Sequence, residues 1–122
     1  MKTLRDYTLN VSLGAPVAIA AIESRLTNGW YRNKEKEKYG DEFISHYRPG
    51  ILSMYCFSCT EFGPRQAATL WLYETGGGKL FMSDIFAEMD TKLSSDECNC
   101  IAEEFYQHCI VPAAEIVSMS VD

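Results

Sequence analysis

The sequence predicts a single α+β domain over residues 1–122, an antiparallel sheet of about four to five strands packed with two to four helices. Three observations predict it. Apolar residues alternate with polar ones near both ends of the chain and through 51–82. A helix start is written into Ser94 to Glu97. Pro49-Gly50, EFGPRQ and TGGG punctuate the middle as turns. The expected order is β-α-(α)-β-β-β-(α)-α-β.

Residues 4–13, LRDYTLNVSL, alternate: Tyr7, Leu9, Val11 and Leu13 point one way, and Asp6, Thr8, Asn10 and Ser12 the other. Gly14 breaks this strand, and Pro16 suits the first turn of a helix. Val17, Ile19, Ala20, Ala21, Ile22 and Leu26 make that helix mostly apolar, with Asn28-Gly29 as its stop. The next segment, WYRNKEKEKYGDEFISHYR, is highly charged. Tyr39, Phe43 and Tyr47 recur at helical spacing, so a helix is expected over about 40–47. KEKEK reads as a solvated turn or face, because its charges nearly cancel.

Residues 51–60, 66–74 and 79–82 form a three-stranded meander. After it, Ser83 caps a short helix through Ile85, Phe86, Met89 and Leu93, or the strand simply runs on to Phe86. From Ser94 the stripe Cys98, Ile101, Ala102, Phe105 and Cys109 gives the clearest helix, and Pro112 should end it. IVSMSV at 116–121 alternates again as a last strand. The stretch LSSDECNCIAEEFYQHCIVPAAE is loosely similar to helices of small bacterial accessory proteins, over less than a fifth of the chain.

The net charge of −6 repels phosphate backbones, so no nucleic-acid partner is expected. No apolar run approaches the roughly 20 residues of a membrane span. Ala18-Ile19-Ala20 imitates a signal cleavage site, but Asp6, Asn10, Gly14 and Pro16 interrupt the region around it. Five cysteines, an odd number, fit reduced thiols and a cytoplasmic location.

Several chemistries rank low. Cys56 and Cys59 have metal-clip spacing, but residues three apart on a strand point to opposite faces. Cys98 and Cys100 lie two apart on a helix, about 200° around its axis. A redox CxxC needs a helix after its first cysteine, and a hairpin follows here. The cysteines therefore read as small buried hydrophobes, except Cys100 on the polar side of its helix. TGGGK lacks the spacing of a phosphate loop, and a strand follows it. His46 and His108 are the two available imidazoles, and no motif links either to a nucleophile. No catalytic residue, metal or cofactor is expected.

The meander carries more information. Leu52, Met54 and Cys56 share one face of the first strand, and Tyr55 and Phe57 the other; on the second strand Thr69, Trp71 and Tyr73 share a face. Both sheet faces are then apolar and one is aromatic-rich, whereas an antiparallel sheet normally leaves a face polar. Either the chain's own helices cover both sides, or Tyr55, Phe57, Trp71 and Tyr73 form a surface for a protein partner or a homodimer. Two functions follow. One is a non-catalytic acidic domain that binds or inhibits a protein partner in the manner of immunity proteins, with Glu23, Glu35, Glu37, Asp41 and Glu42 facing a basic surface. The other is a small-molecule or thiol/zinc site built from Cys56, Cys59, Cys100 and a histidine.

Overall fold

The structure is a computed structural model that describes residues 8–11, 14–39, 52–63, 65–75, 79–87, 93–115 and 119–121. These residues form strands β1 (Thr8–Val11), β2 (Trp30–Arg32), β3 (Ser53–Cys59), β4 (Ala68–Thr75), β5 (Lys79–Ala87) and β6 (Met119–Val121). The helices are α1 (Ala15–Ser24), α2 (34–39), α3 (Ser95–Phe105) and α4 (Val111–Ala114), with a π turn at Tyr106–Ile110 between the last two. The strands make one antiparallel sheet in the order β2-β3-β4-β5-β1-β6. The α+β class is as expected, with six strands among the described residues. The strand that the sequence pattern did not show is β2, whose three residues are too few for alternation to register.

Cross-strand pairing decides which side chains share a face. Phe57 lies opposite Leu70, Tyr55 opposite Leu72 and Cys59 opposite Ala68. On the same side β5 contributes Leu80, Met82 and Ile85, and β1 contributes Leu9. This inner face is the core. Helix α1 covers it with Ala15, Ala18, Ile19, Ala21 and Ile22, and α3 with Ile101, Ala102 and Phe105. Phe105 sits at the centre, 4.7 Å from the Trp30 ring and 5.2 Å from Phe57, both tilted as aromatic pairs prefer.

The outer face carries Cys56 opposite Trp71, Met54 opposite Tyr73 and Ser58 opposite Thr69. Helix α2 reaches across it: Lys36 Nζ donates to Thr69 Oγ1 at 3.0 Å, and Asn33 Nδ2 to Ser58 Oγ at 3.0 Å. Ser58 and Thr69 are buried and lie 3.1 Å apart, hydroxyl to hydroxyl. KEKEK is thus a helix rather than a turn, started by Asn33, whose Oδ1 accepts Lys36 N–H at 3.1 Å. The expected helix over 40–47 lies outside the described residues.

Two further boundaries differ from expectation, and at a third the structure takes one of the two expected courses. Helix α1 ends at Ser24, and Asn28 (φ 56°) and Gly29 (φ 83°) instead make the turn into β2, closed by Trp30 N–H to Thr27 C=O at 3.1 Å. Two positive φ angles in succession are what a type I′ turn requires. Residues 83–87 continue β5, as the second of the two expected alternatives had it, with a register shift opposite Leu70/Leu72 that breaks the alternation. Pro112 does not end the last helix. The π turn before it widens the repeat, with Val111 N–H reaching Tyr106 C=O five residues back. That inserted residue moves the buried stripe from Ile101, Ala102 and Phe105 to Cys109, Ile110 and Ala113, and leaves His108 outside.

Ser94 caps α3 as expected: its side chain accepts Glu97 N–H at 3.1 Å, and Glu97 returns the bond to Ser94 N–H at 3.2 Å. Phe105→Ala should cost about 3–5 kcal/mol in urea denaturation, because it empties the space between Trp30 and Phe57.

Candidate functional site

The four aromatic residues proposed from sequence do not share a surface. Phe57 is fully buried under α3, and Tyr55 lies beside it beneath the Arg32 guanidinium, 5.6 Å from its ring centroid. Trp71 and Tyr73 are on the opposite face, half-buried, with Tyr73 stacked on Phe81 at 5.4 Å. The single aromatic face is therefore corrected to two. Alternation within each strand was right, but the register joins Phe57 to Leu70 and not to Trp71.

The cysteines are equally dispersed. Cys56 is buried on the outer face and Cys59 on the inner one, while Cys100 is exposed on α3. His108 is exposed on the π turn, and His46 lies outside the described residues. Among the described residues no group of three or more His, Cys, Asp or Glu side chains converges as a metal would require. Burial pushes the Cys109 thiol up to about 11, so it is protonated at neutral pH and a poor nucleophile. The Lys36 amine beside the Thr69 hydroxyl has the atoms of an activated nucleophile, but Thr69 is only 3% exposed and no substrate reaches it.

The concave surface lies elsewhere, between the β3–β4 connection and α3. That connection folds back on itself: Phe62 and Arg65 exchange both backbone hydrogen bonds at 3.0 Å around Gly63 (φ 58°). This reversal sends the Arg65 side chain inward, where it is 8% exposed. Its Nη1 donates to Glu104 at 2.6 Å, and its Nη2 to the carbonyls of Asn28 and Thr60 at 2.7 and 2.5 Å. The guanidinium also lies 5.4 Å from the ring centroids of both Trp30 and Phe62. Gly29 is needed beneath it, since an added Cβ would run into the Thr60 hydroxyl.

Gln66 continues the wall, its Nε2 donating to Glu97 Oε2 at 2.7 Å. On the other side Asp96, Glu97, Cys100, Ile101 and Glu104 recur at three- and four-residue spacing, so one face of α3 supplies them all. The cleft between has a volume of about 310 Å³. Three carboxylates against one guanidinium leave its lining at a net charge of minus two. Glu97 titrates below its usual 4.5, first because it accepts the Ser94 backbone N–H and then because Gln66 donates to it. It therefore stays ionised at neutral pH. Such a cleft can hold cationic or neutral groups and repels anions.

Sequence reasoning did not single out Arg65, Gln66, Asp96, Glu97 or Glu104 as a site. Their partners lie 31 and 39 positions apart in the chain, beyond the reach of any local pattern. Of the acidic residues that it did name, two are bound within the fold and Glu35 is exposed on α2. Glu23 and Glu37 both bind Arg32, at 3.3 and 2.9 Å, and Asp41 and Glu42 lie outside the described residues.

Comparison with family models, curated proteins and solved structures returns no match to this chain. Among the described residues no helix is long and apolar enough to cross a membrane.

Arg65→Met should lower unfolding free energy by about 3 kcal/mol, since it strands Glu104 and two carbonyls. Arg65→Lys should recover less than half of that loss, because one ammonium cannot reproduce the fork. Urea denaturation checks both. Glu97 also predicts a pH dependence. Its pKa is lowered in the folded state, so its contribution is fully present above about pH 4.5 and lost as pH falls through the folded value. Unfolding curves of Glu97→Gln should accordingly fall less steeply with acid below that pH than those of the native chain.

Proposed function

We propose that this chain is a non-catalytic binding domain that occludes a basic protein partner, of the immunity or inhibitor type. The observation that carries this reading is the cleft itself. Its lining carries a net negative charge, and its one thiol, Cys100, has no imidazole beside it among the described residues. His108, the described imidazole, is eight residues along the helix, about 12 Å away by helical rise. A recess with carboxylates and no thiol–imidazole pair is suited to holding a group rather than transforming it. The overall charge of −6 supports the same reading, because a basic partner would be steered to it. Inhibition by occlusion needs nothing more than that surface and a rigid fold behind it.

The test is isolation of the tagged chain from its own cells, followed by reconstitution from purified components. The expected result is a one-to-one complex with a protein of net positive charge. Its association rate should fall about tenfold between roughly 10 mM and 500 mM salt. A chain that forms no heteromeric complex on reconstitution, or a complex with an acidic protein and no salt dependence, would overturn the reading.

A further inference from the structure

We infer that the cleft receives one lysine or arginine side chain presented by the partner. This rests on the binding reading above and adds where, and by what chemistry, the partner is gripped. A volume of about 310 Å³ is at the small end of ligand pockets, enough for one long side chain. The apolar part of the lining includes Ile101, which is buried, and Cys100, which is exposed, and this suits an aliphatic stem. Asp96 and Glu97 belong to the same lining and supply carboxylates for the cationic head. Long basic side chains have this division, an apolar stem and a charged tip.

Arg65 does not oppose such a guest, because its charge is already matched. One amine is held by Glu104 and the other by two backbone carbonyls, and rings lie beside the guanidinium. Asp96 is exposed and makes no hydrogen bond or ion pair with another described residue, so its carboxylate is open to a partner. Glu97 is held in place by Ser94 and Gln66 and keeps its charge, which orients the second carboxylate before binding. Beside Arg65, Phe62 is 51% exposed, a large aromatic surface next to the cleft of the kind that anchors interfaces.

The test is an NMR titration of the ¹⁵N-labelled chain with N-acetyl-arginine amide, and in parallel with N-acetyl-citrulline amide, its neutral isostere. Saturable shifts are expected at Gln66, Asp96, Cys100 and Ile101, with citrulline at least about threefold weaker. The double variant Asp96→Asn/Glu97→Gln keeps residues that can cap the helix and should lose about threefold in arginine affinity while staying folded, its melting temperature lowered only by the small charge contribution of a helix first turn. Equal binding of arginine and citrulline, or shifts centred on Trp71 and Tyr73, would overturn the inference. So would a reconstituted partner complex that the double variant leaves unaltered, and in that case the binding-protein reading survives. Failure to form any complex strikes the reading itself, whatever the small probes do.

Discussion

The Arg65 guanidinium is the tie on which this architecture depends. It joins three parts of the chain that share no local sequence: the turn at Asn28, the strand end at Thr60 and helix α3 at Glu104. A buried cation is costly unless its donors are met; here both terminal amines are bonded, while Nε has no partner among the described residues. The consequence reaches further than the contacts. The helix it ties down, α3, carries Phe105, which packs against both Trp30 and Phe57. Arg65 and Glu104 also line the cleft. The site and the core are therefore two sides of one anchoring interaction.

A second constraint operates at the opposite side of β2. Asn33 N–H still pairs with Cys56 C=O at 2.8 Å, as in a strand. Its own carbonyl, however, already accepts Glu37 N–H at 3.2 Å to begin α2. The Cys56 N–H would then lose its ladder acceptor, and Glu37 Oε2 replaces it at 3.2 Å. Arg32 holds that carboxylate with two bonds of 2.9 Å. One residue thus ends a strand, starts a helix and leaves no backbone group stranded. The handover brings Lys36 and Asn33 over the buried hydroxyls of Ser58 and Thr69, which explains polar side chains inside an otherwise apolar sheet.

What could be read from the sequence divides along the range of the interactions. The Ser94–Glu97 capping box was legible because both partners lie within one turn. The β3–β4–β5 meander was legible because turn residues flank its alternating runs. The sharing of faces was not, because alternation yields two faces per strand and never says which ones meet. Tyr55 and Trp71 look alike in sequence and end on opposite sides. The bulge at Leu70/Leu72 hid the length of β5, and the π turn hid the passage of the helix through Pro112, since each inserts a residue into a regular period. The cleft was illegible for the same reason at larger scale: its walls meet only once the β3–β4 connection and α3 are folded together.

The charge of the protein gains a more specific meaning from this division. A net −6 suggests a broadly acidic surface, but several carboxylates are committed to the fold. Glu23 and Glu37 are held by Arg32, and Glu104 by Arg65. Removing any of them would disturb a guanidinium that is itself structural, so a loss of binding there would be hard to separate from a loss of order. Asp96 differs in kind. It sits in the first turn of α3, exposed, on the cleft, with no described partner. A carboxylate in that first turn is favoured by the helix dipole and needs no binding partner to justify its position. Its position is therefore cheap for the fold to maintain, while its open valence faces the concave surface. Recognition and stability can vary independently at such a residue, and that separation is what a domain that must match one particular partner requires.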